Sequence, residues 1–357
     1  MSTVQHIGLS LGRIQHWHDG LGEFSRQLVR ELAAQAPRLR EQFGWELHLH
    51  LPQRWHGEFG DDVRYLDTHT AQRWLHCQKT KFSLWHTLHQ HIRYKPPIGT
   101  VNRLLTIHDL NFIYFKTAPK AKKHLRRTKA LVNRQTALVA ISQHVRDDVS
   151  RHIDSTLAAK VIYNGSTNLS QAPQEAPVGH PEPGFLLHIS RLSASKNVGC
   201  LLDLAAAMPQ HVFVFAGPHS RDSQAFTQAI NSRALHNVRI FESVPEAQKS
   251  WLYAHCNGFL FPSLTEGFGL PPLEAMHFGK PVFLSRLTSL PEVGGKHAFY
   301  LDTFDASSMR AVVLAGLEAT AQGQLAAVIA EHARAFSWEK CAQRYIDTYF
   351  HLLRQPH

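Results

Sequence analysis

The sequence predicts an α/β protein with two domains, each built around a parallel β-sheet. At 357 residues, the chain is too long for one ordinary core and suits two domains of about 150 residues each. Short β-rich runs alternate with amphipathic helical segments along both halves, which is the pattern of β/α units. Residues 164–184 interrupt this pattern with Pro, Gly, Ser and Asn. We therefore predict an interdomain linker there.

The individual elements follow from apolar periodicity. In the first half, β-rich runs predict strands at HIGLSLG, WELHLHL, NRLLTIH and ALVAIS, with helices at GEFSRQLVRELAAQ and within 119–134. In the second half, strands are predicted at FLLHIS, HVFVFAG, NVRIF, GFLFPS and KPVFLS, and helices over 197–208, near 220–231, near 246–255 and from Ala306. An apolar stripe beginning at Trp338 predicts a terminal helix with Ser337 as its N-cap. Ligands of such sheets bind at the carboxyl ends of strands, so we expect the two lobes to face each other across a cleft.

Composition limits the function classes. The net charge is +10 and the pI about 9.6, which favours anionic partners such as phosphorylated small molecules, anionic lipid or nucleic acid. The sequence contains no run of eighteen apolar residues, and its N-terminus reads as a strand rather than a signal peptide, so we expect a cytoplasmic protein. The four cysteines are widely spaced, which predicts reduced thiols.

Glycines follow the first predicted strand in LGRIQHWHDGLGEF, at Gly12, Gly20 and Gly22. A helix opens after them, and its free amides and positive dipole favour phosphate. The spacing matches neither a dinucleotide fingerprint nor a P-loop, and glycines are also common in loops that bind nothing.

Two cations follow the strand FLLHI in the second half. Arg191 and Lys196 lie in HISRLSASKN, where a guanidinium and an ammonium group can clamp a diphosphate. The alternative is a pair of solvated surface cations.

Two acids lie in PSLTEGFGLPPLEAMHFGKPV, at Glu266 and Glu274. Pro271 and Pro272 suit the first turn of a helix, and we expect Glu274 in that turn, where a carboxylate stabilises a helix by about 0.3–1 kcal/mol. Carboxylates also accept hydrogen bonds from vicinal hydroxyl pairs, such as those of a ribose and a hexose.

These motifs together resemble retaining GT-B glycosyltransferases of family GT4. The resemblance rests on EGFGLPPLE, SRLSASK, the early glycines, SLPEVGG, TIHDL, VAIS, VIYNGS and FSWEK, in matching order along nearly the whole chain. It implies a GT-B fold of two Rossmann-like domains, which we place at residues 1–178 for the acceptor and 179–337 for the nucleotide sugar. It also implies that the helix 338–357 packs back on the first domain.

The resemblance assigns a role to each site residue. Arg191 and Lys196 would neutralise the leaving diphosphate, Glu266 would contact hydroxyls of the donor sugar, and Glu274 would hold the ribose. The backbone of Gly267, Phe268 and Gly269 would approach the sugar closely, with Leu270 next to them in the donor site. Gly20 and Gly22 would face the diphosphate from the first domain.

His108 in LLTIHDLNF matches a family histidine beside the donor hexose, although a structural histidine at a strand end is the alternative. His86, His89 and Gln90 follow another predicted strand and are candidates for the acceptor side. The resemblance implies neither a cofactor nor a metal, and the sequence contains no Asp-x-Asp. The stretches HWH, HLH and HTLHQH suggest a metal, but we expect no acid to complete a site with His48 and His50.

The implied activity is retaining hexosyl transfer to a glycan or lipid-linked acceptor in the synthesis of lipopolysaccharide or another surface polysaccharide. The expected donor is GDP-mannose, with UDP-glucose as the second choice. Glu242 and Ser243 stand where the family often has a glycine beside an aromatic residue, which leaves the base preference open. The basic residues of 116–134 predict peripheral contact with the anionic inner membrane face, although a charge run is usually a solvated surface.

Two other functions compete with this one. A GT-B nucleotide-sugar epimerase shares the fold, and the basic segment also suits a protein that binds nucleic acid or another polyanion. Against the second, the cations are not interleaved with aromatic residues and match no nucleic-acid motif. We therefore expect no nucleic-acid partner.

Overall fold

The computed structural model describes residues 4–14, 17 and 20–354. The chain divides into two compact units, of which the first comprises Met1–Gly165 and Ser337–His357 and the second comprises Ser166–Phe336. Each unit has its own parallel sheet covered by helices.

The first unit contains a seven-stranded parallel sheet in the order β3-β2-β1-β4-β5-β6-β7. Its strands are β1 (Gln5–Ser10), β2 (Trp45–His50), β3 (Arg64–Leu66), β4 (Phe82–Thr87), β5 (Asn102–Ile107), β6 (Ala137–Ala140) and β7 (Ala159–Val161). Its helices are α1 (Gly20–Ala34), α2 (Ala36–Phe43), α3 (Phe112–Phe115), α4 (Ala118–Val132), α5 (Gln143–His152) and the terminal helix, here α13 (Trp338–Arg354). The central strands are buried on both faces, which explains their nearly continuous apolar sequences.

The terminal helix α13 is fixed to the first sheet by buried polar contacts. The Tyr345 hydroxyl lies 2.9 Å from Thr106 Oγ1, and the Tyr349 hydroxyl lies 2.7 Å from His86 Nδ1. The other nitrogen of His86, Nε2, lies 2.8 Å from the same Thr106 hydroxyl. Ser337 caps the helix by accepting a bond from the Lys340 amide at 3.2 Å, as predicted.

The second unit contains a six-stranded parallel sheet in the order β10-β9-β8-β11-β12-β13. Its strands are β8 (Leu186–Ile189), β9 (Phe213–Gly217), β10 (Val238–Glu242), β11 (Gly258–Phe261), β12 (Val282–Ser285) and β13 (Phe299–Leu301). Its helices are α6 (Val198–Ala207), α7 (Arg221–Ser232), α8 (Glu246–His255), α9 (Leu270–His277), α10 (Leu290–Gly294), α11 (Ala306–Ala321) and α12 (Leu325–Arg334). Phe213, Phe215, Leu260 and Phe283 lie in its core and are at most 1% exposed.

The α/β prediction is confirmed, because both sheets are wholly parallel and strands alternate with helices. Cys77 is exposed and the other three cysteines are buried, and all four are free. No single helix among the described residues has both the length and the apolar composition needed to cross a bilayer. One bent pair, Ala306–Ala321 with Leu325–Arg354, meets that criterion by length and composition only.

Candidate active site

The strand order of the second sheet reverses between β8 and β11, which lie side by side although two strands, β9 and β10, separate them in sequence. Ligands of open parallel sheets bind outside the carboxyl ends of the strands at such a reversal. Arg191 and Lys196 follow β8, and Glu266 follows β11. The Leu264 amide donates to the Ser195 carbonyl at 2.9 Å, which joins the two loops. The fold therefore brings the loop that carries both predicted cations to the loop that carries the first predicted acid.

Lys196 and Glu266 form an ion pair at this edge. Lys196 Nζ lies 2.5 Å from Glu266 Oε1 and 5.4 Å from the centre of the Phe261 ring. The two side chains are 18% and 12% exposed, so the pair is largely shielded while a ligand can still reach it. A fixed ammonium group in such a site stabilises charge that develops on a phosphate.

Arg191 is exposed, and it forms no ion pair with any residue that the structure describes. The turn that carries it is fixed by His188, whose Nδ1 donates to the Leu260 carbonyl at 2.7 Å. His188 Nε2 therefore accepts, and it lies 2.6 Å from the Ser190 hydroxyl. Burial, with a smaller contribution from Lys196, lowers the pKa of His188 to about 4. A neutral imidazole thus positions the turn without adding charge to the site.

The glycine loop after Glu266 is held by its backbone. Ser289 Oγ lies 3.1 Å from the Glu266 carbonyl and 2.7 Å from the Phe268 carbonyl, and the Glu266 amide donates to Thr288 Oγ1 at 3.0 Å. Gly269 has φ 126°, and a Cβ there would lie 3.0 Å from Leu290. Only glycine suits this position. Gly267 precedes the buried Phe268, and Leu270 begins α9 directly after the loop.

The prediction that Glu274 lies in the first turn of a helix is wrong. α9 begins at Leu270, which makes Glu274 its fifth residue, beyond the turn where the dipole stabilises an acid. Glu274 is 6% exposed. It accepts a hydrogen bond from the Tyr253 hydroxyl at 2.8 Å, and Lys249 Nζ lies 3.2 Å from its carboxylate.

Sequence reasoning missed Lys249 and Tyr253. Both lie on α8, four residues apart, and therefore on the same face of that helix. The chain offers no motif around them, and only the packing of α8 beside α9 reveals the contact. The sequence alone shows only that a lysine and a tyrosine lie four residues apart on a predicted helix, which does not identify Glu274 as their partner.

The prediction that a helix opens after Gly22 is wrong, because α1 already begins at Gly20. Gly20 is the first residue of α1, and Gly22 is buried in its first turn, so the positive end of the helix dipole lies at both. Gly12 has φ 73°, and a Cβ there would lie 2.7 Å from Ile92, so the turn after β1 requires glycine. The HWH stretch contributes His16 and His18, which lie outside the described residues.

His108 is buried and fixed by hydrogen bonds. Its Nε2 lies 2.9 Å from the Leu88 carbonyl. A carbonyl only accepts, so Nε2 carries the proton and Nδ1 has the lone pair. Burial lowers the pKa of His108 to about 4, so the ring is neutral at pH 7. Gln90 accepts from the His108 amide at 3.0 Å and donates to the Asp109 carbonyl at 2.9 Å. The predicted role of His108 beside a donor sugar stays a prediction.

Two histidine interpretations need correction. His86 is fully buried and binds Thr106 and Tyr349, so it is a structural residue and lines no acceptor site. The expectation that no acid accompanies His48 is wrong, because Glu46 Oε2 lies 3.5 Å from its Nε2.

Residues 171–334, nearly all of the second unit and just under half of the chain, match the family described as Glycosyl transferases group 1. The predicted resemblance to GT4-like glycosyltransferases is confirmed. O-antigen chain mannosyltransferase B of Escherichia coli is 31% identical over 173 residues, covering 46% of this chain and 45% of that protein. The serotype-specific mannosyltransferase WbdA of the same species is 42% identical over 186 residues, covering 48% of this chain and 22% of WbdA. The chain thus spans less than half the length of these relatives.

Solved structures match over almost the whole chain. Sucrose-phosphate synthase from Thermosynechococcus elongatus has a TM-score of 0.74 at 19% identity, covering 98% of this chain and 99% of that structure. Anabaena HepE, solved with UDP and glucose, has a TM-score of 0.70 at 19% identity, covering 98% of this chain and all of that structure. These matches confirm the GT-B fold.

Proposed function

We propose that this protein is a hexosyltransferase of lipopolysaccharide O-antigen synthesis that transfers mannose from GDP-mannose to a glycan or lipid-linked saccharide acceptor. The observation that carries the proposal is the Lys196–Glu266 pair, with Arg191 on the same loop after β8, at the strand-order reversal of a nucleotide-binding type of sheet. The choice of mannose and of O-antigen follows the names of O-antigen chain mannosyltransferase B and the mannosyltransferase WbdA. UDP-glucose is the second candidate donor, since HepE was solved with it.

In the proposed reaction, the bond between the sugar C1 and the diphosphate oxygen breaks, and its electron pair stays on that oxygen. Lys196 and Arg191 stabilise this charge, as fixed cations do best where charge develops in the transition state. The acceptor hydroxyl bonds to C1 and its proton passes to the leaving phosphate, so no side chain is needed as general base. Attack on the same face retains the configuration at C1.

Glu274 is proposed to bind the ribose hydroxyls. Its carboxylate is held by Tyr253 and Lys249, and each carboxylate oxygen has a further lone pair with which to accept. Glu266 is proposed to contact hydroxyls of the donor sugar and to hold Lys196 near the diphosphate until the donor arrives. We expect no metal requirement, because Arg191 and Lys196 supply the positive charge that a divalent ion supplies elsewhere.

We also propose that the first unit contacts an anionic membrane surface on the cytoplasmic side. On and around α4, Lys120, Lys122, Lys123, Arg126 and Arg127 are all exposed. Tyr114 and Phe115 just before it are each 45% exposed. Each cation near an anionic leaflet contributes about 1 kcal/mol, and exposed aromatic rings insert at the headgroup level.

Radiolabelled GDP-mannose and UDP-glucose should be incubated with the purified protein and membrane-derived lipid-linked acceptor. We expect label to move to the acceptor from GDP-mannose, with Glu274→Gln greatly reducing it. Arg233→Gln is the matched control, since Arg233, directly after α7, pairs with Asp203 on α6 at 2.7 Å, away from the carboxyl edge. An epimerase would instead return an altered free nucleotide sugar and no labelled acceptor. A polyanion-binding protein would do neither, and would bind nucleic acid with a steep salt dependence.

A further inference from the structure

Two histidines and a glutamate converge on β1 and β2 of the first sheet. They lie towards the amino ends of these strands, whereas Gly12 follows the carboxyl end of β1. His6 on β1 pairs laterally with Glu46 on β2, and His48 lies two residues further along β2. Residues two apart on a strand point to the same face. The pairing register therefore places all three side chains on one surface.

The ligand atoms of these side chains face one another closely. His6 Nδ1 lies 3.0 Å from His48 Nε2 and 3.1 Å from Glu46 Oε2, and His48 Nε2 lies 3.5 Å from the same oxygen. Two atoms bound to a tetrahedral zinc ion lie about 3.3 Å apart, because each is about 2.0–2.1 Å from the metal. The triangle formed by the three atoms thus has the size of one face of such a coordination sphere.

The surroundings also suit a metal. Arg64 Nε donates to Glu46 Oε1 at 3.1 Å, which orients the carboxylate and leaves Oε2 directed at the two histidines, as outer-shell partners of metal ligands do. The rings of His6 and His48 both pack edge-on against Phe82, which limits their rotation. The side chains of His6, Glu46 and His48 are 27%, 18% and 7% exposed, so a cation can enter and a water can complete its coordination.

We propose that His6, Glu46 and His48 bind one divalent transition-metal cation of the zinc type. Two imidazoles and one carboxylate favour zinc over Mg²⁺ or Ca²⁺, which prefer oxygen ligands. The metal links β1 to β2 and stabilises the first unit. It takes no part in sugar transfer, because the cluster lies at the amino ends of the strands.

The test uses the full-length protein without an affinity tag. Isothermal titration with ZnCl₂ should give one site per chain that is tighter than any other, and zinc should raise the melting temperature. His6→Gln and Glu46→Gln should each weaken that site by about 10-fold or more and abolish the rise. His297→Gln is the control, because His297 also faces an imidazole, that of His332, at 4.6 Å between ring centres. This variant should bind zinc as the wild type does.

Two results would overturn the proposal. One is equal zinc stoichiometry and affinity in the wild type, His6→Gln and Glu46→Gln. Zinc would then bind adventitiously to other histidines, and His6, Glu46 and His48 would form only a hydrogen-bonded cluster. The other comes from X-ray absorption at the zinc edge of the wild-type protein loaded with one equivalent, which needs no variant. We expect two imidazole ligands, and fewer than two would exclude this site.

Discussion

The two sheets share one pattern of strand order, but the polar groups that contact α13 at the first sheet differ from those beside the carboxyl edge of the second. At the first, neutral side chains form a buried network, in which His86 bonds to Thr106 and Tyr349 and fixes the terminal helix. At the second, charged groups pair, as Lys196 does with Glu266 and Lys249 with Glu274. A hydrogen bond between neutral groups satisfies buried polar atoms at a small desolvation cost. Burying a charged group costs more desolvation free energy, which an ion pair offsets only in part. The network under α13 therefore stabilises the fold, and the charged groups of the second unit are those that we propose bind the donor.

The largest expected effect comes from removing a cation at the second sheet. Lys196→Gln should lower kcat/KM for sugar transfer by about 100-fold or more, the scale of losing one group that stabilises transition-state charge. Lys160→Gln is the counterpart in the first unit, where Lys160 Nζ donates to Thr348 at 3.0 Å, and it should leave the rate unchanged. Steady-state kinetics with both variants measures the contrast. Equal losses would remove the distinction between the two sheets.

Paired tyrosine variants test the same contrast more finely. Tyr253→Phe deletes the bond to Glu274, so the donor Kd should rise by about 10-fold, since a hydrogen bond to a charged group contributes about 1.5–3 kcal/mol. Tyr349→Phe deletes the bond to His86 and should lower the free energy of unfolding by about 1 kcal/mol while the donor Kd stays the same. Isothermal titration and urea unfolding give both quantities. If Tyr349→Phe weakened donor binding as much, the interpretation would be wrong.

Acid should loosen the terminal helix. Burial, with a smaller contribution from His108, lowers the pKa of His86 to about 3, so the folded protein keeps the ring neutral while the unfolded chain takes up a proton below about pH 6.5. The stability due to this neutral ring is therefore complete above that pH and is lost as pH falls towards 3. Hydrogen exchange in Trp338–Arg354, corrected for intrinsic rates, should be faster at pH 5 than at pH 7. Unchanged protection would contradict this expectation.

The smallest expected effect concerns backbone strain at Ser243, the residue directly after β10 in the second unit. Ser243 has φ 57°, and its amide donates to the Gly217 carbonyl at 2.8 Å. Ser243→Gly should relieve the left-handed conformation but add entropy to the unfolded chain, giving a net stabilisation below about 1 kcal/mol. Urea unfolding measures it. A clear loss of stability would mean that the serine side chain makes a contact that offsets its strain.

Local patterns predicted the fold class, because apolar β-rich runs and helical periodicity alternate along the chain, but they did not mark the short strands β3, β7 and β13. They also identified Lys196 and Glu266, but not their contact, since seventy residues of chain separate the two. Pro271 and Pro272 do lie in the first turn of α9, but the helix already begins at Leu270, so Glu274 falls one residue beyond that turn. Lys249 and Tyr253, and the cluster of His6 with Glu46 and His48, depend on helix packing and strand register, which no local pattern specifies.

The most direct test of the account is phosphorus NMR of GDP-mannose titrated with the protein. We predict that the diphosphate resonances shift and broaden with the wild type and with Arg233→Gln, and that most of this change is lost with Lys196→Gln. Resonances that respond equally to all three proteins would show that Lys196 does not contact the diphosphate, and would contradict the assignment of this edge of the second sheet as the donor site.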